Sequence, residues 1–224
     1  MSSMYRRTGA TTPDQSPQRT LLYIAFCLLA LYAGLAVLAA GNDRVTWDAQ
    51  VLRWFQGREW SVLEVLAHAT NKVFAGAWIS VMTVALFAFC VVRHWQAEAT
   101  AVATVGVIRL ANAGMKWVFD SPRPDEQFVR SESSHSGLGF PSGHTSGAML
   151  FCGVVAWIAW RRIESPVGRI AVVGACALAV LTTGFGRMWV GAHWPSDVLG
   201  GLLWAGAALL ILLHRLPDWI RFRG

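Results

Sequence analysis

The sequence predicts an all-α fold, a six-helix transmembrane bundle with an interfacial amphipathic helix between the first two spans. Three observations predict it. Of the 224 residues, 54% are hydrophobic and only 14% charged, with a mean hydropathy of +0.43, a composition too apolar for a soluble domain of this size. The apolar residues gather into runs near the ~20 residues that a helix needs to cross a bilayer. Arginines collect at alternate ends of those runs, as a positive-inside bias requires.

The elements follow in order. Residues 1–19 are rich in Ser, Thr, Pro and Arg and lack apolar periodicity, which predicts a disordered cytoplasmic tail. Residues 20–215 form one transmembrane domain, and 216–224 a second cytoplasmic tail. The first span is 21–40, and Arg6, Arg7 and Arg19 before it place the amino terminus in the cytoplasm. Small residues close this run, but it is long for a signal core of ~7–15 residues, so an uncleaved helix is expected. Between 42 and 71, Trp47, Val51, Trp54, Phe55, Val62, Leu63 and Leu66 recur at helical spacing among Asp48, Arg53, Arg58, Glu59 and Glu64. That pattern predicts amphipathic helix in the membrane interface, broken near Gly57.

Further apolar runs cover 73–92, 97–117, 145–160, 170–185 and 198–213. Counting 97–117 despite Arg109, Asn112 and Lys116 gives six spans with both termini inside. Arg93, Arg161, Arg162, Arg169, Arg215, Arg221 and Arg223 then share the cytoplasmic side, while Lys116, His144, Arg187 and Asp197 face outward. The net charge of +6 sits at run ends and not in one patch. Membrane orientation accounts for it, and no nucleic-acid partner is expected. Cys27, Cys90, Cys152 and Cys176 all lie in apolar runs without short paired spacing, as packed or lipid-facing thiols and not disulfides or metal ligands. Gly200, Gly201 and Gly206 suit close helix packing in lipid.

Three polar pieces fall at the outward ends. In GRMWVGAHWPSD, Arg187 ends one run and Asp197 opens the next, with His193 in the link. Pro195 suits a first helical turn, which sets Asp197 one turn beyond His193. Its carboxylate can then take one imidazole nitrogen and leave the other as nucleophile or base. The plain alternative makes His193 and Trp194 interfacial anchors and Asp197 a helix cap. In KWVFDSPRPDEQ, Pro122 and Pro124 stiffen the turn that presents Arg123, seven positions after Lys116. In FPSGHTSG, Ser142 is a helix cap, Gly143 admits close backbone approach, and His144 opens a helix whose free N–H groups favour an anion. Separately these could be a snorkelling lysine, a solvated arginine and a capped turn. Falling on one side under one topology, they supply three cations, two histidines and an orienting carboxylate, a set suited to phosphoryl transfer. A zinc site built from His135, His144, His193 and Asp197 lacks the tight ligand spacing of zinc motifs, and no metal or other cofactor is expected. Arg109 lies seven residues, about 10 Å, before Lys116 on the same helix face, with Asn112 between them. An ionisable residue at that depth either pairs with a carboxylate in the bundle or extends the polar path toward a second phosphate.

In order and internal spacing, Lys116, Arg123 and Pro124, then Pro141, Ser142, Gly143 and His144, then Arg187, His193 and Asp197 resemble the three signature motifs of the type 2 phosphatidic acid phosphatase (PAP2) superfamily. The membrane lipid phosphatase branch is the better match, over residues 47–213. One position departs: the family's third motif carries Ser before its Arg, and Gly186 stands there. The resemblance implies that His193 attacks phosphorus and becomes a phosphohistidine, with Asp197 holding its ring. It implies that His144 protonates the leaving group and then activates water, and that Lys116, Arg123, Arg187, Ser142 and the Gly143 backbone bind the phosphoryl oxygens. The expected partner is a lipid phosphate or diphosphate in the bilayer: undecaprenyl diphosphate, phosphatidylglycerophosphate or phosphatidate, with lipid A phosphates also compatible. The expected location is a bacterial inner membrane, with the site facing the periplasm or exterior. Two rival readings are a lipid phosphotransferase using the same histidine and a non-enzymatic lipid-binding or transport protein.

Overall fold

The computed structural model describes residues 16–40, 45–59, 61–119, 121–124, 129–130 and 138–216. Among them are eight helices and no strand: α1 (Ser16–Ala40), α2 (Val45–Gln56), α3 (Ser61–Val73), α4 (Gly76–Val92), α5 (Gln96–Phe119), α6 (Gly143–Arg162), α7 (Pro166–Trp189) and α8 (Pro195–Arg215). α1 begins inside the stretch expected to be a tail. Residues 1–15 and 217–224, with Arg6, Arg7, Arg221 and Arg223, lie outside the described residues.

By length and apolarity, α1 from Arg19, α6, α7 and α8 can each cross a membrane, and a fifth crossing results if α3 and α4, bent by 67°, form one broken span. α5 is not among them, because Glu98, Arg109 and Lys116 interrupt it. The six-span count from sequence therefore exceeds what these two properties establish. The outward faces are apolar all the same: Val37, Leu110, Val118 and Val167 are each at least 74% exposed, a surface that water covers poorly and lipid tails cover well. The four cysteines are free.

Local chemistry sets the helix starts. The Ser142 hydroxyl caps α6 by accepting the Thr145 N–H at 3.5 Å. Ser165 caps α7 at the Gly168 N–H, and Pro166 and Pro195 occupy first-turn positions of α7 and α8, where a missing N–H is harmless. The predicted break near Gly57 falls between α2 and α3.

α1 packs along α8, α6 against α7 and α8, and α5 against α4 and α6, while α3 lies on α7. The main core joins Cys90, Val102, Val105, Leu150, Val154, Trp157 and Leu209. A second, aromatic cluster holds the turn before α6. Phe140, fully buried, stacks on Tyr32 at 5.5 Å and meets Phe119 edge-on at 5.3 Å.

The bundle's two ends differ. At one, Glu98 of α5 accepts hydrogen bonds from Arg161 Nε at 3.0 Å and Arg162 Nε at 2.9 Å, and the Arg162 guanidinium lies 4.4 Å over Trp95. At the other, the last turns of α5 and α7 meet the first turns of α6 and α8. This end carries the polar motifs.

Candidate active site

The link from α7 to α8 folds back on the helix it leaves. Gly191 adopts φ 68°, the left-handed conformation that ends helices with little strain in glycine, and its N–H returns to Met188 O at 3.0 Å. The Ala192 and His193 N–H groups then both reach Arg187 O, at 3.0 and 3.2 Å. His193 is thereby fixed above the arginine that ends α7.

α8 holds the other side of the ring. Asp197 Oδ2 accepts the Trp194 N–H at 3.1 Å and lies 3.2 Å from His193 Nδ1. Asp197 is thus a helix cap and the partner of His193 at once, so the two readings open in the sequence are not exclusive. With Nδ1–H given to the carboxylate, the lone pair is on Nε2. Arg123 Nη1 stands 3.5 Å from that nitrogen and donates to Ala192 O at 3.0 Å. Trp194, 3% exposed, is no interfacial anchor: its indole N–H donates to Pro122 O at 3.1 Å and ties the Arg123 turn to the histidine turn.

The third piece joins through the backbone. The Ser142 N–H donates to Asp197 O at 2.9 Å, which sets the start of α6 beside that of α8. Lys116 Nζ donates to Leu138 O at 3.2 Å and lies 3.9 Å from where a Cβ on Gly143 would be. The structure therefore brings Lys116, Arg123, Ser142, Gly143, His144, Arg187, His193 and Asp197 to one place. His135 lies outside the described residues, and among those described no three His, Cys, Asp or Glu side chains gather in metal-binding geometry.

Charge follows from burial. His193 is 1% exposed and its pKa is driven well below the usual value, first by burial and then by the positive charges of Arg187, Arg123 and Lys116 and the His144 ring. It is therefore a neutral imidazole at physiological pH, the form that can attack. Burial also draws the Arg123 pKa down against the opposing pull of Asp197; a guanidinium still keeps its proton in water-accessible conditions. Arg187 is 8% exposed, and its buried Nε has no acceptor among the described residues. A donor of this kind suits an anion brought in from outside.

Sequence reasoning missed three residues. Asp48 of α2, fully buried, accepts the Ser196 N–H at 2.9 Å and the Ser196 hydroxyl at 2.6 Å, bracing the first turn of α8 next to Asp197. Gln56, at the end of α2, donates to Trp189 O at 3.0 Å at the end of α7. Asn71 of α3 occupies the space beside Gly186, where a Cβ would lie 2.5 Å from Asn71 Nδ2 and 2.9 Å from Ala67 Cβ. Their sequence signal was only polarity on an amphipathic stretch.

Comparison with known proteins adds ancestry to this geometry. The profile of the PAP2 superfamily matches residues 97–221. The chain is 26% identical over 207 residues to phosphatidylglycerophosphatase B of Bacillus subtilis (strain 168), covering 90% of this chain and 96% of the relative. It is 38% identical over 108 residues to undecaprenyl-diphosphatase BcrC of the same organism, covering 46% of this chain and 49% of the relative. In fold it matches the crystal structure of a transmembrane PAP2 type phosphatidylglycerolphosphate phosphatase from Bacillus subtilis, with a TM-score of 0.74 at 20% identity over 85% of this chain and 94% of that one.

Proposed function

The chain belongs to the PAP2 superfamily as a membrane phosphatase, and from that premise we propose that it hydrolyses a lipid phosphate or diphosphate through a phosphohistidine on His193. The observation that carries the reading is the buried His193–Asp197 pair, with Nε2 presented to Arg123. In the first step Nε2 attacks phosphorus and the bond to the leaving oxygen breaks, with His144 supplying a proton to an alkoxide leaving group. Asp197 stabilises the charge that the imidazole gains. Lys116, Arg123 and Arg187, with Ser142 and the Gly143 N–H, hold the non-bridging oxygens and offset their charge in the transition state. In the second step His144 takes a proton from water, which attacks the phosphohistidine and releases orthophosphate. Fixed cations do here what a divalent ion does in metal phosphatases.

α1, α4, α5, α6, α7 and α8 are the proposed spans, and α2 and α3 the interfacial pair. α5 is counted although polar residues lower its apolarity, because those residues turn inward: Lys116 and Asn112 face Gly143, and Arg109 faces Gly147. Arg93, Arg161, Arg162, Arg169 and Arg215 at the far end favour that end as cytoplasmic, leaving the site at the outer leaflet of a bacterial inner membrane. A headgroup can enter there while its tails stay in the bilayer. Undecaprenyl diphosphate, phosphatidylglycerophosphate and phosphatidate are the candidate substrates.

The test is phosphate release by purified protein in detergent with EDTA from these three lipids. Wild type is expected to release phosphate from at least one, with EDTA making no difference. His193→Ala should lose at least about a thousand-fold, as removal of a nucleophile does. Transfer to another lipid without free phosphate would make the protein a phosphotransferase, and full function in the variant would make it a binding protein.

A further inference from the structure

Lys116 is the top of a ladder. On α5, Arg109, Asn112 and Lys116 follow at spacings of three and four, which puts them on one face of the helix. That face meets α6: a Cβ on Gly143 would lie 3.7 Å from Asn112 Nδ2 and 3.8 Å from Lys116 Cε, and one on Gly147, a turn deeper, 3.5 Å from Arg109 Nε. The polar row thus continues from the phosphoryl-binding end into the bundle, away from the surface.

The two lower rungs lack partners. Asn112 is 5% exposed: its buried Oδ1, an acceptor, has no partner among the described residues, and the end of its amide that faces Gly143 is the nitrogen, the donor that an anion needs. No carboxylate among the described residues lies within ion-pair distance of Arg109; the buried Glu98 is taken by Arg161 and Arg162 at the opposite end. Of the two roles open to Arg109 in the sequence, pairing inside the bundle is therefore not the one it takes with these residues. A cation at membrane depth with no protein counter-ion is costly unless something anionic visits it.

We propose that Arg109 and Asn112 form a second anion subsite, one that holds the lipid-linked phosphate of a diphosphate substrate while Lys116, Arg123 and Arg187 hold the terminal one. The inference rests on the phosphatase reading and narrows its substrate class to lipid diphosphates. The direction fits the chemistry. The transferred phosphoryl is the terminal group, nearest water, and the phosphate that stays with the lipid lies on the membrane side of it. When His193 Nε2 bonds to the terminal phosphorus, the bond to the bridging oxygen breaks and its electron pair stays with the departing lipid monophosphate. Arg109 meets the charge that gathers there. Such a leaving group is acidic enough to depart without a proton, unlike the alkoxide of a phosphate monoester.

The test compares a polyprenyl diphosphate with the polyprenyl monophosphate of the same chain length, in detergent, for wild type, Arg109→Gln and Arg109→Lys. The expected result is a ratio of kcat/KM, diphosphate over monophosphate, that falls at least about tenfold in Arg109→Gln and is partly restored in Arg109→Lys, the size of one charge-assisted contact. Equal loss on both substrates, or no change in the ratio, overturns the proposal. Because Arg109→Gln can fail by misfolding, wild type is also tested with non-hydrolysable polyprenyl methylenediphosphonate and phosphonate as inhibitors. Binding of the diphosphonate at least about tenfold tighter supports the subsite, and equal binding overturns it. Failure of wild type to release phosphate from either lipid is a failure of the phosphatase reading instead. The ratio of the two phosphonate affinities, read by direct binding, then still decides the subsite.

Discussion

A side chain on Gly186 has no room, because Asn71 and Ala67 of α3 already fill the space over its Cα. Restoring the serine that the family carries there should therefore harm this protein. Gly186→Ser is expected to cost about 1–3 kcal/mol through overpacking and to lower phosphate release, read by thermal unfolding in detergent and by the lipid assay. Asn71→Ala in the same chain should recover part of the loss. His193 gives a second prediction at this scale. Its folded-state pKa lies below the unfolded value near 6.5, so between the two the unfolded chain binds the extra proton. The group's stability is whole above about pH 6.5 and is lost as pH falls toward the folded-state pKa. The melting temperature should drop between pH 7.5 and 5.5, and His193→Gln should flatten that drop. The His193–Asp197 pair was legible in sequence because four residues and a proline define it locally. Asn71 was not, because only the docking of α3 on α7 brings it to Gly186.

Helix α2 is a brace for the first turn of α8. Asp48 takes both donors of Ser196, and the residue after Ser196 is the carboxylate that orients His193. Asp48→Ala leaves a buried N–H unpaired and is expected to cost about 1–3 kcal/mol and to lower kcat, since the turn carrying the carboxylate beside the proposed nucleophile is loosened. Ser196→Ala, which keeps the backbone bond, should cost less. Steady-state kinetics of the two variants beside their melting curves measure both. The amphipathic period of this stretch and its break near Gly57 were legible. The partner of Asp48 was not, lying 148 positions away in the chain. α5 shows the opposite limit: its three charges blur it as a span in composition, and only the packing against α6 shows that Arg109 and Lys116 point inward.

Across the whole molecule, charge is divided between two ends. Glu98 with Arg161 and Arg162 closes one, and the proposed phosphoryl site lies at the other. In a variant with the four native cysteines replaced, Arg130→Cys should react with a membrane-impermeant thiol reagent added outside intact cells, and Arg215→Cys only after lysis. The reverse pattern would turn the site toward the cytoplasm. Removing Glu98 by Glu98→Gln leaves two partly exposed arginines without their shared carboxylate, and a loss of about 1–3 kcal/mol is expected, measured as a fall in melting temperature with little change in KM. At the site end, three contacts lace the α5–α6 connection to the α7–α8 link and the start of α8: Arg123 to Ala192, Trp194 to Pro122, and Ser142 to Asp197. Resistance to an inhibitor that mimics the phosphoryl group would be hard to acquire there. A substitution that repelled the compound would also loosen the turn carrying the proposed nucleophile, so a tolerated change would have to arise farther down α5.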